Sequence, residues 1–331
     1  MLTFILRRLL IMIPTLILIS MMSFFIIQLP PGDYLTSWVA QMEATGEQVD
    51  KDQIESLRRR YGLDKPMYVQ YWKWISGVAV GDFGQSFALR KPVKTLIWDR
   101  LGYTAGIALL AMVVTWLIAI PIGIYSATHQ YTAFDYLFTF LGFVGMATPA
   151  FLFALLVMYF AYAKFGISVG GLFSDEFVDA PCSWAKLADF LKHVWIPVLV
   201  LAISSTAGLI RTVRANLLDQ LEMPYVITAR AKGLPGWRLL LKYPVRIAIN
   251  PVVSTIGWML PRLVSGSVIV YMVLSLPTTG PLMLTALFNQ DMYLAGSFVM
   301  LLSLLTVIGT LISDILLAWV DPRIRFESKH A

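Results

Sequence analysis

The sequence predicts an all-α integral membrane protein with six transmembrane helices and a polar region inserted between the first and second. Composition is the first ground. Of 331 residues, 58% are hydrophobic and 14% charged, where soluble domains carry about 45–50% and about 25%. Mean hydropathy is +0.71. The second ground is a series of apolar runs long enough to cross a bilayer, which takes roughly 20 residues each. The third is charge placement. Segments 1–8, 211–246 and 321–331 hold twelve of the twenty-six Lys and Arg, whereas the loop 164–193 holds three against four acids. Basic residues in short loops mark the cytoplasmic side, so both termini are expected inside.

Residues 1–29 form the expected N-terminal transmembrane helix. Arg7 and Arg8 precede an apolar run from Leu9 to Leu29, broken by Pro14. That run exceeds the 7–15 residues of a signal-peptide core and ends in Gln28-Leu29-Pro30-Pro31-Gly32 with no small-residue cleavage site, so a retained span is expected. Residues 30–100 are polar, with ten basic and nine acidic side chains, and form an extracytoplasmic cap. A region this long escapes the positive-inside rule. Val49–Tyr61 reads as an amphipathic helix, and Trp72, Trp74 and Trp98 suit a membrane interface.

Residues 101–331 make a five-helix transmembrane core with a cytoplasmic loop at 215–246. Its spans are expected near 101–125, 135–163, 194–214, 247–275 and 295–319. Pro121, Pro149 and several glycines interrupt them. Ser204-Ser205-Thr206-Ala207-Gly208 favours close helix packing. After the fifth span, Ser275-Leu276-Pro277 breaks the chain, and 282–293 reads as a short re-entrant helix.

Catalytic chemistry is poorly supplied. Ser265-Gly266-Ser267 has no histidine within any span to activate a serine, and neither H-E-x-x-H nor G-x-x-x-x-G-K-[ST] occurs. The single Cys182 forms no internal disulfide, and no Cys/His spacing suits a metal. The net charge of +6 follows topology and does not signal nucleic acid. An ion-coupled carrier needs ionisable groups deep in the bilayer. Asp135 belongs at the inner end of the third span. Arg262 and Asp314 differ in depth by about 13 Å at 1.5 Å per residue, too far for a direct pair. Arg262 is therefore expected to line a passage.

The segment Glu222–Pro251 is the most basic part of the chain. Pro224 suits a first helical turn, and Tyr225, Ala229 and Gly233 recur every four residues on one face. Gly233-Leu234-Pro235-Gly236 ends that helix, and a second runs from Trp237 to about Ile247. In this setting Thr228-Ala229-Arg230-Ala231-Lys232-Gly233-Leu234, with Pro251 at its spacing, resembles the ATPase-coupling loop of ABC importer permeases of the oligopeptide/dipeptide/nickel, binding-protein-dependent family. Arg7-Arg8, Tyr61-Gly62-Leu63-Asp64-Lys65-Pro66, Gly81-Asp82-Phe83-Gly84-Gln85-Ser86 and Asp321-Pro322-Arg323-Ile324-Arg325 resemble the first permease of such systems, in order along nearly the whole chain.

The resemblance implies a type I ABC importer-like fold in the bacterial or archaeal inner membrane. The expected partners are a second homologous permease, two cytoplasmic ATPase subunits, an external solute-binding protein and the lipid bilayer, with no nucleic acid. This chain binds no cofactor, and ATP and Mg belong to the ATPases. Tyr225, Thr228, Ala229, Arg230, Ala231, Lys232 and Gly233 form the coupling helix. One departure concerns substrate. Where peptide-type permeases carry Glu-Thr-Val-Phe-x-x-Pro-Gly, this chain has Tyr271 in place of the acid and Thr278 in place of the glycine. A tyrosine can stack on a sugar, which leaves short peptides and oligosaccharides both open. Arg262 and Tyr271 are the candidate pathway residues. An ion-coupled secondary transporter is the weaker reading.

Overall fold

The computed structural model describes residues 2–29, 32–44, 51–166, 169–178, 180–181, 183–256 and 268–320. Among these the secondary structure is helical, apart from one isolated bridge between Gln85 and Pro92. The helices are α1 Leu2–Ile27, α2 Tyr34–Ala44, α3 Lys51–Tyr61, α4 Met67–Ala79, α5 Val93–Thr128, α6 Ala133–Ala147, α7 Ala150–Phe165 and α8 Trp184–Leu221. They continue as α9 Pro224–Ala231, α10 Gly236–Lys242, α11 Pro244–Ala248, α12 Asn250–Ser254, α13 Val268–Val273, α14 Thr279–Phe288 and α15 Met292–Val320.

Four helices are long and apolar enough to span a bilayer: α1, α5, α8 and α15. The expected third span is instead two helices, α6 and α7, bent by 101°. Pro149 explains the break. It supplies no N–H and pushes Thr148 out of helical conformation (ψ 120°). Among the described residues the count is thus four, or five if the bent pair is one broken span. The middle of the expected fifth span, 257–267, lies outside the described residues. Its flanks are the short helices α11 and α12 on one side and α13 on the other. Helix α14 lies close to the expected re-entrant segment but starts earlier, at Thr279.

The spans overrun the hydrocarbon layer. With 36 and 38 residues, α5 and α8 reach about 54 and 57 Å at 1.5 Å per residue, against a core of about 30 Å. Pro121 and Pro197 sit inside these helices without ending them. Leu10 on α1, Phe140 on α6 and Phe160 on α7 remain more than half exposed, as expected for helices whose solvent is lipid.

Contacts divide the chain into two compact units. One comprises Leu6–Thr104 and Thr278–Leu305. The polar region 30–100 is therefore packed with α1, α14 and the start of α15, and is not a separate body. Phe24 on α1 meets Tyr71 and Trp74 on α4 at ring distances of 5.3 and 5.8 Å. Asp291, fully buried at the start of α15, is a hub of this unit. Its carboxylate accepts from Ser86 Oγ at 2.5 Å and from the Ala88 and Leu294 N–H groups at 3.1 and 3.2 Å. Burial nonetheless pushes its pKa above the ordinary carboxylate range, against the pull of those donors.

The other unit comprises Met1–Ile5, Ala105–Pro277 and Thr306–Ala331. Its core is small-residue packing around α8. A Cβ on Gly123 of α5 would lie 2.7 Å from Val213 Cβ and 3.1 Å from the Ile210 carbonyl, so the two helices are in near-contact there. Gly142 and Gly145 on α6 face Ala207 and Ile203 at ordinary contact distances. Ala207 belongs to the small-residue run read from the sequence.

Candidate functional site

The segment Pro224–Ala248 takes its form because its breakers sit where helices must start and stop. Pro224 occupies the first position of α9, and Glu222 and Met223 are the whole linker from α8. The helix ends at Ala231, and Gly233 takes a left-handed φ of +79°, the usual glycine exit from a helix. Pro235 then precedes α10. The expected second helix is broken in two at Tyr243–Pro244, giving α10 and α11.

Packing within this segment alters the expected face. Val226 is fully buried and Ala229 is 6% exposed, both against Leu239 of α10, with Tyr225, Leu234 and Tyr243 closing the cluster. The stripe Tyr225–Ala229 is thus consumed by α10. A helix of eight residues buries one side only, and the apolar Val226 and Leu239 select that side. The outward surface carries Ile227, Thr228, Arg230, Ala231, Lys232 and Gly233. No atom lies within 4 Å of where a Gly233 Cβ would be. Trp237 and Leu241 extend this surface along α10, with Arg238 stacked 5.1 Å over the Trp237 ring. Ile227, Trp237 and Leu241 were not singled out from the sequence. Only the buried position of Val226 and Leu239 identifies them as outward-facing.

The segment is bound to the long helices at several points. Tyr225 Oη lies 2.7 Å from Gln220 Oε1, linking α9 to α8. Leu217 of α8 packs with Ala127 of α5 and with Val245 and Ala248 of α11. Higher up, Val213 and Leu209 pack with Ala119 and with Val252 of α12.

Of the two candidate pathway residues, Arg262 lies outside the described residues. Tyr271, on α13, is fully buried, and the neighbouring Leu274 carbonyl accepts from the Gly171 N–H at 2.8 Å. Among the described residues no cluster of three or more His, Cys, Asp or Glu could hold a metal.

Comparison with known proteins agrees with this architecture. Residues 119–326 match the binding-protein-dependent transport system inner membrane component family, and residues 1–108 match the corresponding N-terminal family. The oligopeptide transport system permease protein AppB of Bacillus subtilis is 37% identical over 98% of this chain and 99% of its own. The peptidoglycan transport system permease protein YejB of Agrobacterium fabrum is 30% identical over 98% of this chain and 99% of its own. The probable D,D-dipeptide transport system permease protein DdpB of Escherichia coli is 31% identical over 92% of both. These matches run the length of the molecule and include the segment that carries α9. The chain belongs to the family of binding-protein-dependent transport system inner membrane components, the multi-pass permease subunits of ABC importers.

Proposed function

We propose that this chain is one permease half of an ATP-driven importer of short peptides. It works with a second homologous permease, two cytoplasmic ATPase subunits and an external solute-binding protein. ATP and Mg are handled by the ATPases, and this chain has no catalytic step of its own. The relatives named for oligopeptide and D,D-dipeptide transport support peptides as the substrate class. The oligosaccharide alternative rests on Tyr271 and Thr278 standing where peptide-type permeases carry an acid and a glycine; the relatives named for peptide transport weigh against it. The ion-coupled alternative has no feature in its favour.

In this reading six spans cross the membrane with both termini inside. Residues 1–29 are the first span, 30–100 cap the outer side, and 101–331 form the core around the coupling loop 215–246. Arg262 lines the passage. The coupling helix Tyr225–Gly233 docks on an ATPase through Thr228, Arg230, Ala231, Lys232 and Gly233, while Tyr225 and Ala229 fasten it to its own chain. The observation that supports this is the short connection of α9 to α8, a two-residue linker with the Tyr225–Gln220 hydrogen bond across it, since a docking helix must act as a lever.

The test is Gly233→Trp in the assembled transporter. The ring has open space in this chain but would collide with a docked partner; because the left-handed φ of Gly233 strains any side chain there, Ala231→Trp, at an exposed helical position, is measured beside it and should give the same loss. Substrate-stimulated ATP hydrolysis and uptake should both be lost while the variant still inserts. Persisting uptake would show that this surface does not receive the ATPase.

A further inference from the structure

Helix α6 begins on a carboxylate tied to the far end of α8. Asp135, in the first turn of α6, is 3% exposed. Its Oδ2 accepts from Arg214 Nη2 at 3.0 Å and from the Tyr131 N–H at 3.1 Å. Tyr131 has φ 62°, an unfavourable conformation for a side chain of this size, so the carboxylate holds a strained turn in shape. Thr132 closes the same turn. Its Oγ1 accepts from the Asp135 N–H at 3.3 Å and donates to the His129 carbonyl at 2.9 Å. The buried Ser126 hydroxyl, near the end of α5, faces the same carboxylate. One anion thus gathers the end of α5, the turn and the start of α6. Its cation sits on α8, two turns before that helix hands over to α9.

The pair is engaged on one limb only. A guanidinium can donate through two N–H groups to both oxygens of a carboxylate. Here Asp135 Oδ1 and Arg214 Nε are both buried, and neither has a hydrogen-bond partner among the described residues. Buried polar groups are ordinarily paired. The buried Ser126 Oγ beside this carboxylate is likewise without a partner among the described residues, so the free limb can be closed either by Ser126 or by a movement of α8 against the start of α6 that brings Arg214 Nε onto Oδ1. An exposed ion pair would contribute little either way, but burial of Asp135 makes the difference between one and two limbs count.

We infer that Asp135 and Arg214 are positioning residues for transport. They are joined on one limb in the arrangement seen here and on both limbs in the opposite-facing arrangement. The change carries movement of α8 into the α5–α6 turn. The inference rests on the reading of α9 as the ATPase-docking helix. A simple staple would keep one geometry throughout the cycle, and the two cases separate experimentally.

The measurement is substrate moved per ATP hydrolysed, with the complete transporter and its binding protein in lipid vesicles. Arg214→Lys keeps the charge and removes the second limb. It should lower that ratio about tenfold, the size of an ordinary coupling free energy, without lowering the amount of assembled complex. A lysine variant with the wild-type ratio overturns the inference, and so does a loss confined to the amount of complex. Should the lysine variant assemble poorly, Asp135→Asn, which leaves one acceptor, is read by the same ratio. If Gly233→Trp leaves uptake intact, the docking reading fails whatever Arg214 does. If Gly233→Trp uncouples and Arg214→Lys does not, the inference about the pair fails alone.

Discussion

Asp291 shows how a single side chain can hold together a region that its neighbours in sequence would leave loose. Ser86 and Ala88 lie about two hundred residues away in sequence, and the carboxylate also caps α15 through the Leu294 N–H. Asp291→Ala leaves three donors buried without an acceptor and should cost about 2–4 kcal/mol, read as a lower midpoint of unfolding in detergent. Its titration gives a second test. A raised carboxyl means that the folded chain holds the proton more tightly than the unfolded one. That contribution is complete below the ordinary carboxylate value of about 3.9 and is lost as pH rises through the folded value. Asp291→Asn should therefore flatten the fall in stability on going upward from about pH 4. Parallel profiles for variant and wild type would mean that burial does not perturb this group. None of this was legible beforehand: the sequence marks Gly81–Ser86 as a motif, but no local pattern pairs it with Asp291.

Among the elements, α8 is the one to which the others are fitted. Its small residues were readable as a packing surface, because glycine, alanine and serine are what closely approaching membrane helices require. Which helices approach was not readable. Gly123 lies in an apolar run with no outward sign of its role, yet it allows α5 to touch Val213 and Ile210. Gly123→Ala should destabilise the protein by about 1–3 kcal/mol through overpacking. Val213→Ala in the same chain should restore much of the loss, and a double-mutant cycle measures that recovery. Simple additivity would mean that the two helices do not meet there. The same logic explains the coupling helix. Its start at Pro224 and its exit at Gly233 follow from backbone chemistry. The choice of buried side was made by Leu239, a residue on a different helix.

At the scale of the molecule, the proposed topology makes a prediction that needs no partner. In a Cys182→Ser background, Val80→Cys should react with a membrane-impermeant maleimide applied to intact cells. Trp237→Cys should react only once the membrane is opened. Both native side chains are more than 60% exposed, so access rather than burial decides the result. Labelling of both from one side would refute the arrangement with the cap outside and the coupling loop inside. The sequence by itself determined the class of protein, the polar insertion after the first span, the starts and stops at Pro and Gly, and the family resemblance. Each of these depends on composition or on residues close together in the chain. Only the tertiary structure decided that the polar region shares a unit with α14 and the start of α15, that Tyr271 is buried, and that Asp135 meets Arg214. Those facts depend on which surfaces cover one another across tens to hundreds of residues, where the energy lies in packing and desolvation rather than in local backbone preference.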